Sequence, residues 1–560
     1  MELHAREVNQ DVRELGTLLG EIITEQTSQE AFDVVERIRN AAIAYRRGDA
    51  EDREVIHETL DGLSPEQEDV VARAFTTYFE LINLAEERQR VREIREGSQE
   101  GTLADSVRES VEELAERDLD AETVERVLDD VLIQPTFTAH PTEARRKTVK
   151  AKLRSVSTHL EQLDEVRLTD HEAADVERDL EAEVTSLWQT PQVRDRRPEV
   201  TDEALNVQWY MENVLFEVIS EVYDALERAI DDEFDEEIDV PKLYEFRSWA
   251  GSDRDGNPFV TPEVTEETLD RQQSVALPLY RDRLKTLSGV LSQDASQIDA
   301  GERLEERLEK HRERLPGVAT EAEERYPHEP YRQKLKLMRE SVLRVNDVRS
   351  GGYESPNELL ADIDAIAESL RANGAESIAE AYVDPLARTV DTFGFTLASL
   401  DLRDHRAKHT NAIAEAVERD GIDYEGMSED ERVDFLTEAI QQERPVIDVE
   451  ETDDLSDDAQ RVLRRFEKTA DWQREYGVDA IDTYCISWCE EPSHVLEVLF
   501  LGDQAGIIDL PGYCGLDIVP LLESKYALDG ARRIMGTLFE NDAYQQALEA
   551  RGGVQEIMLG

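Results

Sequence analysis

The segment FTAHPTEARRKT (137–148) places His140 shortly before three adjacent cations, Arg145, Arg146 and Lys147. A histidine can move a proton, or stabilise a transferring phosphoryl group, near neutral pH. Arginine and lysine side chains donate hydrogen bonds to phosphate and carboxylate groups. The segment therefore indicates chemistry on a small, strongly anionic phosphorylated compound. A histidine before a proline can also be a structural or surface residue, so this segment alone does not decide the function.

Other polar side chains follow apolar runs in the same way. Arg254 lies in GSDRDGNP, Arg403 follows FTLASLDL, and Glu523 is the penultimate residue of GLDIVPLLES. Glu523 offers an oxygen ligand for Mg²⁺ or Mn²⁺, which would normally recruit a second carboxylate. Each residue also has a structural interpretation: a hydrogen-bonded turn, an ion pair with a nearby aspartate, or a solvated strand end. The chain has no G-x-G-x-x-G after a strand-like run and no P-loop, so nucleotide binding is not indicated.

The elements that must position these residues are read from hydrophobic periodicity. Residues 1–130 carry apolar side chains at spacings of three and four, which predicts an N-terminal helical region. Six short apolar runs follow, separated by long helical stretches: 131–137, 244–250, 395–402, 482–489, 515–524 and 554–560. Strands that alternate with helices predict parallel β/α units for residues 131–560, with large helical insertions. The pattern does not separate an open sheet from a closed barrel. In a barrel, active-site residues come from the carboxyl ends of several strands.

Charge and cysteine content exclude several classes of protein. The chain has 63 Lys plus Arg against 129 Asp plus Glu, a net charge of −66. This charge would repel phosphates, so neither nucleic acid nor an anionic membrane is expected as a partner. The acidity fits either an acidic interaction surface or a cytoplasm of molar salt, and its spread along the chain favours salt adaptation. The three cysteines show no metal-type pairing, and no signal peptide or membrane span is seen, which predicts a cytoplasmic protein.

Several motifs together resemble the phosphoenolpyruvate carboxylase family. They are FTAHPTEARRKT, SWAGSDRDGNPFVTPEVT, FGFTLASLDLRDHRAKHT, YCISWCEEPSHVLEV and DIVPLLES, in the family's order. The resemblance implies a mostly helical TIM-type barrel that assembles as a homotetramer. It implies anaplerotic conversion of phosphoenolpyruvate and bicarbonate to oxaloacetate and phosphate, through carboxyphosphate and the pyruvate enolate. The cofactor would be Mg²⁺ or Mn²⁺, without biotin.

The same resemblance implies roles for individual residues. His140 matches the histidine that stabilises carboxyphosphate and assists its breakdown. Arg403 matches an arginine that holds the phosphoryl group and bicarbonate. Trp249 matches the tryptophan beside the bicarbonate site, and Glu523 matches one of two metal-binding carboxylates.

Substrate binding by Arg254, Arg146 and Lys147 is predicted from their side chains, which are suited to phosphate and carboxylate. The chain shows two small departures from the family pattern. Lys147 stands where the family has a second arginine, which would weaken any forked contact. Ser252 stands at a tight turn where the family usually has glycine.

The largest departure concerns the end of the sequence. The family continues beyond QEIMLG with Tyr-Ser-Asp-Ser, whose aspartate is the second metal ligand, and with a Gly-His-Gly-Arg-Gly-Gly loop. The barrel is therefore expected to be incomplete here, with about six of eight strands, and the chain alone to be inactive. Either it is the N-terminal part of a carboxylase, or it is a non-catalytic homologue that binds a metabolite or a partner protein. An unfinished parallel sheet would expose an unpaired edge, which favours the first hypothesis.

The charge leads to a first prediction. Because self-repulsion among the carboxylates is screened when the Debye length falls to about 3 Å, the protein should be most stable above about 1 M KCl. Thermal unfolding followed by circular dichroism over a KCl series measures this. A midpoint that is unchanged or higher in dilute buffer would contradict salt adaptation.

Overall fold

The computed structural model describes residues 4–47, 52–100, 103, 106–117, 119–138, 147–164, 168–191, 199–234, 238–442 and 444–560. The chain forms two compact units. The first, here called the helical unit, comprises Met1–Ser110 and Pro141–Pro198. The second, the sheet unit, comprises Val111–His140 and Glu199–Gly560.

Helices dominate the described chain. In chain order they are α1 (Val8–Gln26), α2 (Gln29–Arg46), α3 (Asp52–Asp61), α4 (Pro65–Glu100), α5 (Val107–Glu116), α6 (Ala121–Asp129), α7 (Lys147–Leu163), α8 (Asp170–Trp188), α9 (Val200–Tyr210), α10 (Phe216–Glu233), α11 (Pro262–Val290), α12 (Glu302–Arg314), α13 (Pro316–Arg325), α14 (Pro330–Leu343), α15 (Pro356–Ala372), α16 (Glu376–Ile378), α17 (Asp384–Phe393), α18 (Arg406–Glu418), α19 (Glu429–Ile440), α20 (Asp457–Tyr476), α21 (Pro492–Gln504), α22 (Lys525–Glu540) and α23 (Asp542–Ala550). Two π-helical segments, Met211–Leu215 and Ala379–Val383, and a 3₁₀ turn, Val478–Ala480, complete the helical content of the described residues. None of the described helices is long and apolar enough to cross a membrane.

The helical unit is built around one apolar core. The predicted stripe on α1 is confirmed, because Leu15, Leu19 and Ile22 are buried, and they pack with α2, α4, α7 and α8. A buried ion-pair network crosses the same unit: Arg92 lies 2.7 Å from Asp11 and 3.0 Å from Asp164. The unit therefore joins two separate stretches of sequence. The apolar faces of α7 and α8 share a core with α1 and α4. The domain boundary at residue 130 stays a prediction from the sequence.

The sheet unit contains eight strands among its described residues. They are β1 (Thr136–Phe137), β2 (Arg247–Ser248), β3 (Ser399–His405), β4 (Thr483–Ser487), β5 (Ile508–Asp509), β6 (Tyr513–Cys514), β7 (Asp517–Leu522) and β8 (Met558–Leu559). Six of them form a curled, all-parallel sheet in the order β1-β2-β3-β4-β7-β8, as in part of a barrel. The prediction of six parallel strands in chain order is therefore confirmed. Closure into an eight-stranded TIM-type barrel stays a prediction.

The observed strands are shorter than the predicted runs: β1 begins at Thr136 rather than 131, and β8 at Met558 rather than 554. Two further features differ. β3 begins at Ser399 rather than 395, because the chain turns at Leu397, whose φ is +60°. The antiparallel hairpin of β5 and β6 was not predicted, since its strands have only two residues each. Neither difference changes the order of the parallel sheet or which strand ends meet at its carboxyl edge.

Alternation along β3 separates two faces of the sheet. Leu400 and Leu402 are buried in the core formed with α18, α20 and α21. Side chains of successive strand residues point to opposite faces, so Asp401 and Arg403 lie on the other, polar face. The sheet therefore has one helix-covered face and one face that carries charged residues.

The turn after β2 yields a second prediction. Gly251 has φ of +95°, and an added Cβ would overlap the Thr268 side chain, whose hydroxyl is held by Val264 O at 2.7 Å. Gly251→Ala should lower the free energy of unfolding by about 3 kcal/mol, because backbone strain and overpacking add. Gly256→Ala is the matched control: its φ is +71°, but nothing lies within 4 Å of the added carbon. Only the strain, about 1 kcal/mol, should remain there. Urea unfolding in KCl compares the two, and equal losses would contradict the close approach to Thr268.

Candidate active site at the carboxyl edge of the parallel sheet

Arg403 is the central cation of the polar face. Its guanidinium lies 3.0 Å from Asp255 Oδ2 and 3.4 Å from Asp253 Oδ2. Asp253 follows β2 and pairs with Arg403 as a parallel bridge, so the ladder itself brings the two side chains together. Burial raises the pKa of Asp253, and the nearby Arg403 opposes that rise. The structure thus brings Arg403 together with two carboxylates at the carboxyl ends of β2 and β3.

Trp249 lies directly beside this cation. The Arg403 Cζ atom is 4.8 Å from the centre of the indole ring, a cation–π geometry. The indole Nε1 donates to Asp401 Oδ2 at 3.0 Å. Two of the residues predicted from the sequence, Trp249 and Arg403, are therefore in contact.

A second arginine, Arg247, contacts the same aspartate as Trp249. Arg247 Nη1 donates to Asp401 Oδ1 at 2.9 Å and lies 3.5 Å from Asp482 Oδ1. Burial raises the pKa of Asp401 to about 6, against the lowering effect of Arg247. Burial alone would lower the pKa of Arg247, but the Asp482 and Asp401 carboxylates raise it above its ordinary value. The pKa of each of these buried side chains therefore depends on whether the others are charged.

Glu523 lies at the end of β7, where it contacts the end of β4. Its Oε1 accepts a hydrogen bond from the main-chain N–H of Trp488 at 2.8 Å. Trp488 has a left-handed φ of +56°, is 47% exposed, and has its ring 6.4 Å from that of His405. A bulky residue in this conformation is strained, and such strain is concentrated at functional sites. The turn therefore fixes one oxygen of Glu523 while the other makes no hydrogen bond or ion pair with the described residues.

Arg254 is placed differently from the other predicted residues. Its guanidinium lies 3.4 Å from Asp404 Oδ2, on the helix-covered face, and its side chain is buried. Arg465 lies 3.6 Å from the same oxygen and also donates to Arg403 O. Burial lowers the pKa of Arg254, and Asp404 opposes this. Among the described residues the Arg254 side chain contacts neither Trp249 nor the Arg403 guanidinium, and substrate binding by it stays a prediction.

Three of the predicted side chains lie outside the described part of the structure. His140 and Arg146 lie outside the described residues, as does Arg145. Lys147 is the first residue of α7, and its side chain is likewise outside the described part. Their predicted roles rest on the sequence alone.

The described part of the site is acidic and has few metal ligands. Asp253 and Asp255 pair with the Arg403 guanidinium, and Glu523 adds a third carboxylate at this edge. Within the described ranges, no group of three or more His, Cys, Asp or Glu side chains is arranged to hold a metal ion. Glu523 fits a cation that keeps most of its waters and takes its remaining oxygens from the substrate. A phosphorylated anion could bind here only with further positive charge.

All three cysteines of the chain lie in the sheet unit. Cys485, Cys489 and Cys514 are buried and free, and burial raises the pKa of each thiol.

Sequence reasoning missed Arg247. The signal was present, because Arg247 interrupts an apolar strand run and stands two residues before Trp249, on the same face of β2. A charged residue at an inward strand position requires a partner of opposite charge.

Comparisons with known proteins show the family of this chain. A family model described as phosphoenolpyruvate carboxylase matches residues 8–560. The phosphoenolpyruvate carboxylase of Xanthomonas euvesicatoria is 34% identical over 554 residues, which cover 98% of this chain and 60% of that protein. Those of Roseiflexus castenholzii (33% identical; 98% and 60% covered) and Bradyrhizobium diazoefficiens (31%; 100% and 61%) are similar. The chain belongs to the phosphoenolpyruvate carboxylase family and spans about three fifths of the length of these relatives.

The placement of Arg254 yields a third prediction. Arg254→Met should lower the free energy of unfolding by about 2–4 kcal/mol, because it leaves a buried Asp404 with one weaker partner. Arg464→Met is the matched control on α20: its pair with Glu263, at 2.7 Å, is more than half exposed, so a loss below about 1 kcal/mol is expected. Urea unfolding measures both. If Arg254→Met left stability unchanged but weakened binding of phosphoenolpyruvate, a direct substrate contact would be right instead.

Proposed function

We propose that this chain carries part of the active site of a phosphoenolpyruvate carboxylase, which converts phosphoenolpyruvate and bicarbonate to oxaloacetate and phosphate. One observation carries the proposal: Arg403 and Trp249 are stacked at the carboxyl edge of a parallel sheet, in a chain of this family. The carboxyl ends of parallel strands are where β/α enzymes place their catalytic groups. Relatives that match 98% of this chain bear the name of this activity.

The reaction assigns a task to each group in the site. A bicarbonate oxygen attacks the phosphoryl group, the bond from phosphorus to the enol oxygen breaks, and carboxyphosphate and the pyruvate enolate form. Carboxyphosphate then gives CO₂ and phosphate, and the enolate carbon attacks CO₂. Arg403 supplies forked donors for the phosphoryl group and bicarbonate. His140 holds or moves the bicarbonate proton, which ends on phosphate.

Trp249 and Glu523 complete the proposed assignment. The indole ring presents an apolar wall beside Arg403, which would keep water from CO₂ and the enolate. Glu523 would hold Mg²⁺ or Mn²⁺ with its second oxygen, and the cation would supply charge that stabilises the enolate. This cation would also offset the carboxylates around Arg403. Substrate binding by Arg146 and Lys147 stays a prediction from the sequence. No biotin is required by these steps.

Other properties of the complete protein are proposals of the same kind. A homotetramer, a cytoplasmic location and a salt-adapted source follow from the family resemblance and the charge. Because the chain spans about three fifths of its relatives, the rest of the substrate-binding set is proposed to lie in the remaining two fifths.

The fourth prediction tests the two principal roles in the native protein that carries this chain, purified in KCl through a tag at residue 1. His140→Asn should still bind phosphoenolpyruvate and release pyruvate when bicarbonate is present, but should form almost no oxaloacetate. Glu523→Gln should instead raise the Mn²⁺ concentration needed for half-maximal rate, because one anionic ligand is lost. Oxaloacetate is measured by coupling to malate dehydrogenase.

The control is His171→Asn, an exposed histidine of α8 that pairs with Asp175 and should leave the rate unchanged. Near-normal carboxylation by His140→Asn would show that another group performs its role. If the unmodified native protein bound phosphoenolpyruvate but formed no oxaloacetate, it would be a metabolite-binding homologue rather than a carboxylase.

A further inference from the structure

We propose that Arg247 is a positioning residue of the active site: it holds the Asp401 carboxylate, and through it the Trp249 indole, against Arg403. The geometric part of the proposal stands on the contacts alone. Its consequence for catalysis rests on the proposed function.

The contacts form a continuous chain from Arg247 to Arg403. Arg247 Nη1 donates to one oxygen of Asp401, at 2.9 Å, and also donates to the Thr483 hydroxyl. The other oxygen of Asp401 accepts from Trp249 Nε1 at 3.0 Å. The two donors therefore occupy different oxygens, so the plane of the carboxylate is fixed by both. The indole ring in turn lies 4.8 Å from the Arg403 Cζ atom.

Burial makes the arginine necessary to this arrangement. Arg247 and Asp401 are both buried, and Asp482, 3.5 Å from Arg247, is partly buried. Two carboxylates this close to one guanidinium would repel each other without it. Removing one partner of a buried pair leaves the other charge uncompensated. Arg247 therefore determines whether Asp401 can remain an ionised acceptor for the indole.

The groups that face Asp401 determine how the loss of Arg247 changes the pKa of this carboxyl group. Arg247 and Trp249, on the β2 side, favour the ionised carboxylate. On the β4 side, Asp482 disfavours it, and the Cys485 thiol also faces Asp401. Burial already raises the pKa of Asp401 to about 6. Loss of Arg247 removes the largest opposing effect, so the pKa would rise further. Asp401 would then bind a proton near pH 7 and lose its charge-assisted bond to the indole.

Arg551 provides a matched control on the same face. Its Nε donates to Asp517 Oδ1 at 2.8 Å, and Nη2 lies 3.7 Å from Asp482 Oδ2. It contacts neither Asp401 nor Trp249 among the described residues. Arg551→Gln therefore removes a charge of the same type from the same group of ion pairs without touching the proposed chain of contacts.

The experiment observes the indole directly. Tryptophan labelled with ¹⁵N gives one Nε1–H resonance for each of the five tryptophans, and Trp249→Phe identifies that of Trp249. In the unmodified chain, in KCl, this resonance should shift with pH as Asp401 titrates. Arg247→Gln should move the midpoint upward by about one pH unit. Arg247→Lys keeps the positive charge, so its midpoint should lie close to that of the unmodified chain. Arg551→Gln should leave the midpoint within about 0.2 units, because Asp401 keeps both donors.

A resonance and midpoint unchanged by Arg247→Gln would overturn the proposal. If Arg247→Gln does not fold, the double variant Arg247→Gln/Asp482→Asn restores the charge balance and is measured instead. Its midpoint should still lie above that of the unmodified chain, and an unshifted midpoint would overturn the proposal as well.

A second measurement separates positioning from a purely structural role. In the native protein that carries this chain, Arg247→Gln should lower kcat/KM about 10-fold or more and move the acidic limb of its pH profile upward. Arg551→Gln should change it less than about twofold, because it contacts neither Asp401 nor Trp249. If stability falls in both variants while both profiles stay unchanged, Arg247 is a structural ion pair only. If the unmodified native protein forms no oxaloacetate, the proposed function fails, and the indole resonance still decides the geometry.

Discussion

The polar face of the sheet depends on a balance of buried charge around Arg247. Asp401 and Asp482 approach each other across β3 and β4, and the guanidinium between them offsets their repulsion. Buried ion pairs of this kind add little net stability compared with apolar packing, but they are costly to break. Their value is geometric, since the hydrogen bonds allow only one arrangement of the side chains. The indole of Trp249, and with it the surroundings of Arg403, takes its orientation from that arrangement.

The carboxyl edge shows the opposite condition, an imbalance. Around Arg403 the described carboxylates exceed the described cations, and Asp253 and Asp255 occupy the guanidinium donors. Under the proposed function, a phosphorylated substrate would compete with these carboxylates for Arg403. A divalent cation would change that competition. The contacts of Arg247 with Asp401 and of Asp401 with Trp249 would then stay fixed, whereas the ion pairs of Arg403 would rearrange when substrate binds.

Much of this could be predicted from the sequence, for identifiable reasons. The strands could be predicted because each is a short apolar run between long helices. Arg403 was expected near the other strand ends because parallel strands end at one edge, whereas Trp249 was expected beside it only from the family resemblance. Arg247 was not predicted, although strand alternation places it on the same face as Trp249, two residues later. Arg254 was predicted as a ligand for substrate because a guanidinium suits phosphate and carboxylate, but residue type does not show which face of the sheet a side chain reaches. Its partner Asp404 lies on the helix-covered face, next to Arg465.

The path of the chain between its two units has a consequence for synthesis. The polypeptide leaves the helical unit at residue 110, contributes β1 to the sheet unit, and returns at residue 141 to supply α7 and α8. The helical unit can therefore be complete once α8, which ends at Trp188, has left the ribosome. β1 must wait for β2, about 110 residues later in the chain. At a rate on the order of 10 residues per second, β2 is synthesised roughly ten seconds after β1 and roughly six seconds after the end of α8, so the helical unit can fold before the sheet begins to form.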